Sequence, residues 1–200
     1  MYQKLLTFTL KRLLVVIIAG LLVYSLYDKD FLLMLLLAFF CVIVYVRKRK
    51  SPDATIYFLG FGISAIGGFF AEHWGIASGL WKYHNLTGGR TFPYWLPFAW
   101  GLAFYVLYEF EAQYIRILKL KTIQSKMALT LYASALLPTV GEIIAVNTGV
   151  WTYYGPYKIL GIPIAMIGLL VLFHTSVFLL LCFVNSYWKM GNTVFLLEKK

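Results

Sequence analysis

Six apolar runs set the first limit on this chain, because each is long enough, or nearly so, to cross a bilayer as a helix. They extend from Phe8 to Tyr27, Phe31 to Val46, Ala54 to Ala71, Tyr94 to Glu109, Met127 to Val146 and Ile159 to Val184. A span needs about 20 apolar residues, and in hydrocarbon a lone segment satisfies its backbone polar groups only as a helix. The 200 residues are 61% hydrophobic and 13% charged, with a mean hydropathy of +0.77, whereas a soluble domain carries roughly one-quarter charged residues. The expected fold is an all-α polytopic membrane protein of six transmembrane helices in a single membrane domain.

Basic residues orient such a chain, since lysine and arginine near helix ends are retained on the cytoplasmic side. With the N-terminus inside, fourteen of them (Lys4, Lys11, Arg12, Arg47 to Lys50, Arg116, Lys119, Lys121, Lys126, Lys189, Lys199 and Lys200) lie in cytoplasmic segments, against Lys29, Lys82, Arg90 and Lys158 outside. Both termini are therefore expected in the cytoplasm, in a multi-pass protein of the cell membrane. The net charge of +10 then sits where topology and anionic membrane lipid favour it, and no nucleic-acid partner is implied. The basic, apolar N-terminal stretch lacks a small-residue cleavage site and runs into a second apolar segment, so it reads as a retained helix. Cys41 and Cys182 fall inside spans without metal-ligand spacing. Asn85-Leu86-Thr87 fits a glycosylation acceptor, a weak pattern on its own.

An internal duplication organises the rest. Glu72-x6-Gly79-x-Trp81-x-Tyr83 recurs as Glu142-x6-Gly149-x-Trp151-x-Tyr153, every counterpart seventy positions on, and the same offset pairs Ser64-Ala65 with Ser134-Ala135 and Pro93 with Pro163. Residues 54–121 form one two-helix repeat and 124–191 the other, with 1–50 as an unduplicated N-terminal hairpin. A unit of two helices returns to the side it started from, so the repeats are parallel, related by an axis along the membrane normal. Both motifs then face the outer side. Pro93 and Pro163 are expected to open the fourth and sixth helices, where a missing N–H costs least. Gly75, Gly79 and Gly149 are expected to serve close approach or chain reversal.

The repeated carboxylates carry the functional argument. An ionisable group in a span costs about 2.5 kcal/mol or more near the bilayer centre, so Glu72 and Glu142 at equivalent places call for a reason. Helix-end residues reaching the headgroups are the plain alternative. If they converge in an aromatic cleft, a carboxyl group in such dry surroundings keeps a proton that it can donate. The quadrupoles of Trp81, Tyr83, Trp100, Trp151 and Tyr153 would then stabilise a carbocation. Alkene protonation on an isoprenoid follows from that pairing. His73 and His84 are candidate proton carriers or substrate contacts, with solvent-facing loop positions as the alternative. His174, midway along the sixth helix, is either a buried hydrogen-bonding partner or a substrate contact. Asn147 stands one turn beyond Glu142 where it could orient the carboxylate or a water, an ordinary helix C-terminus residue being the alternative. Glu111 is expected at a solvated cytoplasmic helix end, with Glu109 deeper. No His or Asp array has metal spacing, so neither metal nor other cofactor is expected.

These residues also resemble a known family. Glu72-x2-Gly75-x3-Gly79 followed by Phe92-Pro93-x3-Pro97-x-Ala99-Trp100 resembles the first signature of membrane carotenoid hydratases of the bisanhydrobacterioruberin hydratase type. Gly149 to Tyr153, then Gly155-x-Tyr157 and Gly161-Ile162-Pro163, is similar to the second. The resemblance implies a cofactor-free membrane enzyme of carotenoid biosynthesis that adds water across a terminal isoprenoid double bond, with Glu72 as a catalytic or binding acid. Related membrane lycopene and meroterpenoid cyclases use similar acid-initiated chemistry, so cyclisation is the near alternative to hydration. A non-catalytic lipid-binding or transport protein, or a structural subunit, is the reading of another class. For the enzyme readings the lipid-soluble substrate is isoprenoid or carotenoid in kind, and no oligomeric state follows from the residues.

Overall fold

The structure is a computed structural model describing residues 2–86 and 88–196; Thr87 of the glycosylation pattern and the terminal Lys199 and Lys200 lie outside the described residues. Six helices account for most of it: α1 (Tyr2–Leu26), α2 (Asp30–Lys48), α3 (Ala54–Ala77), α4 (Leu96–Leu118), α5 (Ile123–Asn147) and α6 (Ile164–Tyr187). Between them lie four short strands, β1 (Trp81–Tyr83), β2 (Trp151–Tyr153), β3 (Lys158–Ile159) and β4 (Ile162–Pro163). The chain is an all-α polytopic membrane protein, and α1, α2, α3, α5 and α6 are long and apolar enough to cross a membrane.

The remaining helix, α4, is of span length but holds Glu109, Glu111 and several tyrosines. Its position explains that composition, since it packs against α1, α2, α3 and α5 and neighbours rather than lipid meet its polar side chains. Glu109 pairs with Lys48 and with Arg12, the latter at 3.8 Å. The four helices of the duplicated part form a closed ring, α3 on α4, α4 on α5, α5 on α6 and α6 on α3. A shift of one repeat maps this ring onto itself, as a two-fold relation requires. The α1–α2 hairpin packs on one side of it, against α5 and α4.

Several expected boundaries move. The third helix runs on to Ala77, so Glu72 lies inside it and not at its end. Pro93 precedes α4, which starts at Leu96 with Pro97 in its first turn and extends to Leu118, nine residues beyond the expected end at Glu109. The sixth helix begins at Ile164 and not at Ile159, because β3 and β4 pair as a small hairpin that Gly161 (φ +90°) turns. Pro163 is its N-cap and fits the expected position.

Candidate functional site

The duplicated motif begins with two matching helix ends. Ser78 N–H bonds Trp74 O and Leu80 N–H bonds Gly75 O in α3; Thr148 bonds Ile144 O and Val150 bonds Ala145 O in α5, each at 2.9 Å. Gly79 and Gly149 follow at φ +68° and +78°, the left-handed conformation that closes a helix through such a motif and favours glycine. The chain therefore reverses identically in both copies. The strands β1 and β2 then meet as an antiparallel pair, Trp81 opposite Tyr153, Lys82 opposite Thr152, and Tyr83 opposite Trp151. His84 N–H to Val150 O and Tyr154 N–H to Leu80 O, at 3.0 and 2.8 Å, extend the pair symmetrically.

Reversal and pairing carry each aromatic pair back over its own carboxylate. Trp81 Nε1 and Tyr83 Oη donate to Glu72 Oε2 at 2.8 and 2.9 Å, and Trp151 Nε1 and Tyr153 Oη donate to Glu142 Oε2 at 3.1 and 2.6 Å. The spacing of the motif is thus the spacing of a clamp: nine residues from carboxylate to indole, eleven to phenol. Burial pushes the Tyr83 and Tyr153 hydroxyls well above the usual tyrosine range, the adjacent carboxylates adding to it, so both remain donors. Close packing supports the first clamp, because Gly75 lies so near the Trp81 indole that a Cβ would overlap the ring.

The copies then diverge. Trp100 Nε1 donates to the second oxygen of Glu72, Oε1, at 3.2 Å; its equivalent at position 170 is leucine, which donates nothing. Glu72 is accordingly held by three side-chain donors and only 8% exposed, whereas Glu142 has two and keeps more of its surface open. Both glutamates line the same two cavities, of about 260 and 300 Å³. The first lies between α4 and α5, with α1 residues such as Val16 and Ala19 as a further wall. The second lies between α3 and α6.

Of the other expected residues, Trp81, Tyr83, Trp100, Trp151, Tyr153 and His174 all line one or both cavities. His73 does not: it is exposed and stacked on Phe69. Asn147 does not reach Glu142; its Nδ2 donates to Ile143 O and Leu160 O, tying the end of α5 to the β3–β4 loop. His84 bonds Thr152 across the strand pair. The expected order of the two α4 acids is reversed. Glu109 is 23% exposed beside its basic partners, while Glu111 is 2% exposed and accepts from His174 Nε2 at 3.0 Å. Two residues along α4 turn the side chain by about 200°, so Glu109 and Glu111 lie on nearly opposite faces, and Glu111 faces His174 of α6 in the ring interior. The signal that finds this pair is broken symmetry: seventy positions away, Glu111 corresponds to Leu181 and His174 to Phe104, both apolar. Among the described residues no group of three or more His, Cys, Asp or Glu lies together as metal ligands.

Comparison with protein families, with curated proteins and with solved structures found no match to this chain. The likeness to carotenoid hydratases rests on the motifs alone.

Proposed function

We propose that the chain is a membrane enzyme that protonates an alkene of an isoprenoid or carotenoid lipid, with addition of water as the outcome. The observation that carries this reading is the convergence of Glu72 and Glu142 on the same cavities, each carboxylate clamped by an indole and a phenol. One carboxyl of the pair gives its proton to a terminal alkene carbon, the π electrons forming the new C–H bond. The cation left on the neighbouring carbon is stabilised by the aromatic rings of Tyr83, Trp95, Trp100, Trp151 and Phe173, which line the hairpin-side cavity. Water then forms the C–O bond and returns a proton to the carboxylate, so the acid is restored and no cofactor is consumed.

Both termini lie on the cytoplasmic side in this reading, and the strand pair with its clamps lies toward the outer face. The test is product mass. The protein in lipid nanodiscs, given acyclic polyenes, yields a product heavier by one water. A product of unchanged mass with fewer double bonds assigns cyclisation by the same acid pair, and recovery of every polyene unchanged contradicts the enzyme reading.

A further inference from the structure

The two cavities are themselves copies. Leu96, Ala99, Leu102 and Val106 line the one beside the hairpin, and their counterparts seventy positions on, Met166, Leu169, Leu172 and Ser176, line the one between α3 and α6. The carboxylates exchange roles under the same shift, as do Tyr83 with Tyr153 and Trp81 with Trp151. Glu72, Trp100, Glu142, Leu170 and Phe173 belong to both linings, so the cavities meet at the acid pair. Their surroundings differ in one respect. The hairpin supplies a wall to the first, where Gly20 sits against Ile144 of α5. Although Val15 of the first is itself 44% exposed, among the described residues no further element stands outside the second, whose lining residues Trp74 and Leu172 are 55% and 62% exposed. These two residues sit on helices that are long and apolar enough to span a membrane, so this side of the ring faces lipid.

We propose that the α3–α6 cavity is the lateral port and first binding groove for an elongated apolar lipid, whose chain passes between Glu72 and Glu142 into the hairpin-side cavity. This rests on the enzyme reading only for the identity of the reacting group; the port is a binding claim. The ligand class follows from the lining, which is aliphatic and aromatic apart from Ser64, His174 and Ser176, with its two carboxylates at the waist. It also follows from size, because the two volumes together fall within the roughly 300–1,000 Å³ of small-molecule sites. Neither lining holds a lysine or arginine that would pair with a phosphate, so the ligand is an apolar chain end and not a phospholipid head. The duplication explains why the site is a passage: a two-fold axis through the acid pair makes equivalent hollows on opposite sides, and the unduplicated hairpin walls one of them.

Photoaffinity labelling in nanodiscs tests this without requiring turnover. The probe is a polyprenyl hydrocarbon carrying a diazirine near one end, followed by mapping of the labelled peptides. Labels are expected on α3 near Ala71 and Trp74, on α6 near Leu172, and on the hairpin side near Val16 and Leu137. Ser176→Trp, at an exposed site of the port, is expected to weaken labelling at both cavities by about tenfold, as an overfilled site does. Ala103→Phe copies the residue at the equivalent position 173 and is expected to abolish hairpin-side labels while leaving those at the port. Labelling confined to the hairpin side, unchanged labelling in Ser176→Trp, or α3–α6 peptides cross-linked to a second copy of the chain would each overturn the proposal. Mapped labels without any conversion of polyenes would sustain the port and remove the enzyme reading.

Discussion

Trp81 and Tyr153 stand opposite one another in the β1–β2 pair, their rings edge to face with centroids 5.7 Å apart, yet each donates to a different glutamate. Tyr83 and Trp151 are likewise opposite one another, their rings tilted by 58° with centroids 5.3 Å apart. The strand pair therefore couples two clamps that sequence separates by seventy residues. The ring contacts join the two clamps directly.

Removing one phenol measures the asymmetry between the copies. Tyr153→Phe leaves Glu142 with Trp151 as its one side-chain donor, whereas Tyr83→Phe leaves Glu72 with Trp81 and Trp100. Each loss is expected to cost about 1–3 kcal/mol, with Tyr153→Phe the larger because Glu142 then keeps a single side-chain donor among the described residues. Chemical unfolding in detergent, followed by tryptophan fluorescence, checks the order.

The two tyrosines also predict a response to alkali. Their hydroxyls are held above the ordinary range by burial, so the folded state disfavours tyrosinate relative to the unfolded chain. The stability they contribute is fully present below the unfolded value of about 10 and is lost as pH rises beyond it. The stability gap between wild type and the Tyr83→Phe, Tyr153→Phe double variant is expected to narrow above about pH 10. Unfolding midpoints collected across that range provide the measurement; a constant gap contradicts the burial of the hydroxyls.

Glycine positions separate space from backbone conformation. Gly79→Ala and Gly149→Ala put a side chain at positive φ and are each expected to cost about 1–2 kcal/mol, with the clamps retained. Gly75→Ala has an ordinary helical backbone, but its methyl displaces the Trp81 indole from Glu72. Indole fluorescence in that variant is expected to shift toward that of a more exposed ring, a change absent from Gly79→Ala.

The Glu111–His174 pair is predicted to be strongly non-additive. Removing one partner strands the other inside the ring, at a cost of about 3–5 kcal/mol. Glu111→Leu combined with His174→Phe installs the residue types found at the equivalent positions 181 and 104, and is expected to recover most of that stability. A double-variant cycle on unfolding free energy decides it, and simple additivity would show that the two side chains are not a pair.

Helix count, membrane class and the two-repeat plan were legible because each follows from local regularities: run length, hydropathy and a constant offset. The Glu-x6-Gly-x-Trp-x-Tyr spacing also announced a recurring unit, and the reason for it is the helix-closing turn that folds the aromatics back onto their acid. What could not be read was contact between copies. Nothing local in Trp81-Lys82-Tyr83 specifies antiparallel pairing with Trp151-Thr152-Tyr153, which depends on how α3 and α5 are placed. The inward turn of Glu111 was hidden for a related reason. It sits two residues from Glu109 on a helix with neighbours on several sides, and which acid is buried depends on partners far off in sequence, Arg12 and Lys48 for Glu109 and His174 for Glu111. The role of Asn147 at the end of α5 is non-local as well, because one of its partners, Leu160 O, belongs to a β3–β4 hairpin that reads in the sequence as the start of an apolar run.

The most direct test of the acid pair is a single assay of the Glu72→Gln, Glu142→Gln double variant, which keeps side-chain size and the capacity to accept from Trp81, Tyr83, Trp151 and Tyr153. With a polyene that the wild type converts, and with folding verified by the same unfolding curve, conversion is expected to fall by about 10²- to 10⁴-fold, the usual contribution of a general acid. Conversion at the wild-type rate would contradict the assignment of these two carboxylates as the source of the proton.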